Sequence, residues 1–128
     1  MLRRMIALAL AGLAVAAPPA LASPHWNTQI KNASDTVSRV AGGCSFDTGS
    51  HTGSLLVACP DNHRATLVYV FTTSRAPQGT PMVRVAGMGW GRVYDSAKVS
   101  GRSIRVTLTV VGYAHVQLNT ITVCYYTR

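Results

Sequence analysis

Cys44, Asp47, His51, Cys59, Asp61 and His63 fall within one twenty-residue stretch, CSFDTGSHTGSLLVACPDNH. These are the residue types that bind transition metals or move protons. Tetrahedral zinc needs thiolates and imidazoles in compact pairs, C-x₂₋₄-C or H-x₃₋₅-H. Cys44, His51, Cys59 and His63 are spaced seven, eight and four residues apart, which matches neither pattern, so no metal is expected. In an oxidising compartment the same cysteines pair with each other. The turn-rich segment between Cys44 and Cys59 lets the chain double back, and a Cys44–Cys59 disulfide is expected, with Cys124 left as a free, buried thiol. The rival pairing is Cys59–Cys124. It lacks the tyrosine two residues before the second cysteine, where Thr122 stands, and the tryptophan shortly after the first that mark an immunoglobulin-type bridge.

Catalytic readings are thin. His25, His51, His63 and His115 in a small basic chain suggest a nuclease, but acid–base work needs two groups within reach of one substrate, and the spacing brings no pair together. Glutamate is absent, the four aspartates sit in turn-like contexts, and no G-x-S-x-G elbow occurs. No cofactor is expected.

A different pattern occupies AGMGWGR, where Gly87, Gly89 and Gly91 alternate with Met88, Trp90 and Arg92. In an extended chain the glycines share one face and the larger side chains the other. It is no phosphate loop, since the third spacing of G-x-G-x-x-G is missing. Trp90 and Arg92, with Met88 and Arg84 as neighbours, form the candidate binding set, a stacking platform for a sugar or an anionic polymer. The alternative puts Trp90 and Met88 in the core, and the usual burial of tryptophan favours it.

Further on, Pro81-Met82-Val83 follows the polar loop 72–80, and together with Cys44 and Cys59 upstream it resembles the actinobacterial subtilisin-inhibitor family. That resemblance covers only these residues and implies Met82 as the reactive-site residue. The family's second disulfide has no counterpart here, and a strand is read after Cys59 where the family has a helix.

The elements that carry these residues read as all-β. Alternation is frequent, and β-branched residues crowd the segments between Gly, Pro, Asn and Asp. Strands are predicted at 26–30, 37–41, 54–59, 65–73, 81–86, 90–99, 102–111 and 113–126. Residues 65–73 are apolar on both faces, as in an interior strand. Ser100-Gly101 suits a tight hairpin turn. In the last segment the apolar phase shifts between Leu118 and Ile121, which requires a bulge or turn near Asn119-Thr120.

At the N-terminus, Arg3 and Arg4 precede an apolar run over 5–17 and the pattern Ala20-Leu21-Ala22. This reads as a cleaved secretory signal, 1–22, too short for a membrane anchor. Residues 23–33 then form a loosely held arm, and 34–128 a single small antiparallel β-sandwich, immunoglobulin-like or a related Greek key, with one disulfide. Beyond residue 22, ten basic residues face four aspartates, a charge of about +6 that favours anionic surfaces as well as solubility. The cations look scattered along the chain. The expected function is a secreted, monomeric, non-catalytic binding module for glycan or another anionic envelope surface. An inhibitor or antimicrobial factor aimed at an extracellular protein, and a small secreted nuclease, are the alternatives.

Overall fold

A computed structural model describes residues 25–48 and 53–128; the signal-peptide reading of 1–22 and His51 lie outside them. The described chain is all-β and antiparallel. Its seven strands are β1 (His25–Asn32), β2 (Ser38–Val40), β3 (Ser45–Asp47), β4 (Leu55–Cys59), β5 (Arg64–Thr72), β6 (Gln78–Ser100) and β7 (Ser103–Thr127). All seven join one hydrogen-bonded sheet.

The organising unit is the long hairpin β6–β7. Ser100 pairs with Ser103, so Gly101 and Arg102 form a two-residue loop. Gly101 has φ +59°, a value that glycine adopts without steric cost at the first loop position of a hairpin turn. β7 is lined along one edge by β6 and along the other successively by β5, β4 and β1. β2 extends the sheet beyond β5, and β3 extends it beyond β4.

β7 keeps a buried row through its whole length only because its register shifts. Ile104, Val106, Leu108 and Val110 are buried, as are Ala114, Val116 and Leu118; then Ile121, Val123 and Tyr125 are buried in the opposite phase. The change falls at Asn119, which is skipped between the pairs Ala86–Thr120 and Gly87–Leu118. This is the bulge that the sequence phase demands. The side chain of Asn119 accepts from Ser54 Oγ at 3.2 Å, and its main-chain oxygen from the N–H of Ala33 at 3.1 Å.

Leu67, Tyr69 and Phe71 of β5 meet these rows in the core, each worth about 2 kcal/mol of transfer from water. The phenol of Tyr69 donates to the carbonyl of Ala33 at 2.7 Å. Lys31 lies over Phe71 at 5.7 Å, and Gln29 Nε2 donates to the Thr72 carbonyl at 2.6 Å. The β1 end of the sheet and β5 therefore approach each other although each pairs with a different stretch of β7.

Several expectations change. The arm over 23–33 is, across His25–Asn32, the strand β1, paired residue by residue with Thr120–Thr127. The strands predicted at 81–86 and 90–99 are one strand, and so are 102–111 and 113–126, because Gly87, Gly89, Gly91 and Gly112 bend a continuing ladder where glycine suggested a break. Three-residue β3 carries too little pattern to be read. The Cys44–Cys59 disulfide is present, closing the β3–β4 hairpin. Cys124 is unpaired but only half-buried: Val123 and Tyr125 take the inward phase, leaving its thiol between Thr28 and Met82 on the outer surface.

Candidate functional site

Residue parity along β6 decides the site. Val83, Val85, Val93, Ala97 and Val99 pack inward, so the even-numbered residues face out. Gly87, Gly89 and Gly91 occupy the inward phase between them. A Cβ on Gly87 would lie 2.3 Å from the Gln117 carbonyl oxygen, and one on Gly89 2.1 Å from that of His115. The glycines thus let the backbone of β6 close onto β7, and the large side chains between them are turned outward.

Met88 is consequently 64% exposed and Trp90 54% exposed, so the core assignment of both is overturned. Trp90 pairs across the ladder with His115. The two rings stack with centroids 4.9 Å apart and planes 17° apart, and Tyr113 stands beside them at 6.5 Å. His115 stacks on the indole and Tyr113 stands near it, and much of the ring stays in solvent. Ser45, Ala58, Pro60 and the Cys44–Cys59 bridge complete a shallow groove of about 330 Å³ against it.

One step along the outer surface lies a second hollow of about 380 Å³, lined by Asn62, His63, Arg64, Arg92, Tyr94, Val111 and Gly112. It adjoins the first where Trp90 and Arg92 stand two residues apart on β6 and Gly112 precedes Tyr113 on β7. His63 Nδ1 is 2.8 Å from the Asp61 carbonyl. A carbonyl only accepts, so Nδ1 carries the proton and Nε2 is left for other contacts.

Of the four residues singled out in sequence, the fold brings Met88, Trp90 and Arg92 to adjoining surface. Arg84 sits elsewhere, opposite Thr122, with β7 between it and Ile30 of β1. Tyr113, His115, Arg64 and Tyr94 were not selected from sequence. Pairing partners are not encoded locally, so nothing in the sequence marked these four as neighbours of Trp90 and Arg92. Met82, the residue implied by the inhibitor resemblance, lies within β6 opposite Cys124, held in a ladder and not on a loop.

Among the described residues, no three metal-ligating side chains gather. His63 and His115 line different hollows. What the arrangement offers is an aromatic face on a largely apolar groove, with the guanidinium groups of Arg64 and Arg92 in the adjoining hollow. That chemistry suits a ligand with an apolar ring face and polar or anionic substituents. In comparisons with known proteins, no family model, curated protein or solved structure matches the chain.

Proposed function

We propose that this is a secreted binding module that holds an extracellular glycan or another anionic envelope polymer on the Trp90 groove without altering it chemically. The observation that carries the reading is the half-exposed indole, braced by His115 and Tyr113 at a concave surface. Exposing a tryptophan forgoes about 2 kcal/mol of burial. An indole face is a good support for the C–H face of a sugar ring, and the fixed stack with His115 means little side-chain freedom is lost on binding.

The leader-like 1–22 and the disulfide fit export into an oxidising space. The architecture proposed for the exported chain is a small β-sandwich. Its two layers are the β5 end of the long hairpin and the β1 end, with the shared core between them, a reading supported by the Tyr69–Ala33 and Gln29–Thr72 contacts.

The test is a glycan panel read by calorimetry and by indole fluorescence in a Trp26→Phe background, so that Trp90 alone reports. A bound glycan should shift the emission, and Trp90→Ala should weaken binding about ten-fold, the order of one well-packed aromatic contact. Binding that survives Trp90→Ala unchanged, or an emission spectrum unmoved by every glycan, refutes the assignment.

A further inference from the structure

Three of the cations that look scattered in sequence have side-chain partners in the fold. Lys31 lies over Phe71; Arg39 lies over Phe46 and donates to Thr36 and Ser34; Arg75 donates to the carbonyl of Arg128. Among the described residues, the side chains of Arg64, Arg84, Arg92, Lys98, Arg102, Arg105 and Arg128 have no hydrogen bond, ion pair or aromatic partner. Four of them, Arg64, Arg92, Lys98 and Arg105, lie together on the outer face where β5, β7 and β6 adjoin.

The register places them. Arg64 of β5 and Arg92 of β6 both pair with Val111, from opposite sides, and so flank it in a single cross-strand row. Successive rows on that face are Thr66–Thr109–Tyr94, Val68–Thr107–Ser96 and Val70–Arg105–Lys98. Residues directly opposite share a face. The other face carries Leu67, Tyr69, Phe71, Val106, Leu108 and Val110 in the core, which fixes the basic rows as the outer ones. No aspartate belongs to these rows: Asp95 is in the other phase, opposite Leu108.

Lys98 and Arg105 are direct cross-strand partners, and like charges in that position destabilise a sheet. No carboxylate in the rows offsets them. We propose that this face is a track for a polyanionic glycan, with Arg64 and Arg92 engaging acidic groups at one end and Lys98 and Arg105 at the other. Six residues of strand separate the two pairs, about 20 Å at the usual rise. Hydroxyls of Thr66, Thr107, Thr109 and Tyr94 lie between, suited to sugar hydroxyls. The proposal rests on the glycan reading of the Trp90 groove, which adjoins the Arg92 end, and it names the ligand as acidic and longer than a disaccharide. A single-stranded nucleic acid is less suited, since successive bases need successive aromatic platforms and only Tyr94 stands between the cation pairs.

The experiment measures binding of the exported chain to a heparin-derived disaccharide, a heparin-derived octasaccharide, neutral dextran and a single-stranded oligonucleotide matched in charge to the octasaccharide. Lys98→Ala/Arg105→Ala should weaken octasaccharide binding more than ten-fold at low salt and leave the disaccharide unchanged. The slope of log K against log salt should fall by about two, as for two released counterions. Arg84→Ala/Arg128→Ala removes the same net charge elsewhere and should leave octasaccharide binding within about two-fold. An equal loss in both double variants, tighter binding of the oligonucleotide, or no dependence on glycan length overturns the track. If dextran binds as well as the octasaccharide and still depends on Trp90, the track fails while the groove stands. If no glycan binds at all, the groove reading fails too.

Discussion

Replacing Gly89 by alanine tests the geometry that turns Trp90 outward. Gly89 has φ +122°, and a Cβ there would lie 2.1 Å from the His115 carbonyl oxygen and 3.0 Å from Val116 Cα. Both obstacles are backbone of the paired strand, so no side chain can swing aside. Backbone strain of this kind costs about 1–3 kcal/mol, and forcing β6 away from β7 sacrifices ladder hydrogen bonds worth about 1 kcal/mol each. The sum is about 2–4 kcal/mol, a fall in Tm on the order of 10–25 °C for a domain of this size. Two companions separate the causes. Gly101→Ala meets nothing within 4 Å and has only its φ of +59° to relieve, whereas Gly87→Ala has no left-handed φ but meets the Gln117 carbonyl oxygen at 2.3 Å. Thermal unfolding followed by circular dichroism should rank Gly89→Ala as the most damaging of the three. If Gly89→Ala melts within a degree or two of Gly101→Ala, close approach of the two backbones is not what the glycines serve.

Other consequences concern stability and the cysteines. Burial pushes the Tyr69 phenol up to about 12, above the ordinary 10 of an unfolded chain. The folded state therefore holds this proton more tightly, and the stabilisation is complete below pH 10 and lost as pH rises through 12. Ultraviolet titration should show one of the five tyrosines ionising last; simultaneous ionisation of all five in folded protein would contradict the burial. Tyr69→Phe leaves the buried Ala33 carbonyl without its donor and should cost about 1–3 kcal/mol in denaturant unfolding, whereas a cost below 0.5 kcal/mol would mean water replaces the phenol at no loss. Thiol titration of the denatured, unreduced protein should find one free cysteine, and reduction of Cys44–Cys59 should lower stability by about 3 kcal/mol for a closed loop of this size. Three free thiols before reduction would mean that Cys44 and Cys59 are not bonded.

What could be read in the sequence was what local rules govern. The alternation at Ile104–Val110 predicts a half-buried strand, the doubly apolar 65–73 an interior one, Ser100-Gly101 the hairpin, and the phase change after Leu118 the bulge at Asn119. The disulfide follows from the short turn-rich loop between its ends. Illegible were the features set by which strands adjoin β7. Trp90 was assigned inward on the average behaviour of tryptophan, but the glycines that bring β6 against β7 leave the outer phase to the large side chains. Arg64 and Arg92 are far apart in the chain, and only the shared partner Val111 reveals them as a pair. The glycines of 87–91 were equally misleading as punctuation, since in the ladder they are points of close backbone approach and not ends of strands.

Ligand is expected on the outer surface running from Trp90 to Lys98. A second aromatic surface provides the natural contrast: Trp26 and Tyr126, with ring centroids 4.1 Å apart, and the exposed Ile30 and Met82 at the β1 end. Amide and indole chemical shifts of the labelled protein, followed during titration with a heparin-derived octasaccharide, compare the two surfaces in one measurement. The expected result is perturbation of the Trp90 indole and of the amides of His115, Arg92, Tyr94, Arg105 and Lys98, with Trp26 and Ile30 unmoved. Shifts concentrated at Trp26, Ile30, Met82 and Tyr126, with Trp90 silent, would contradict it.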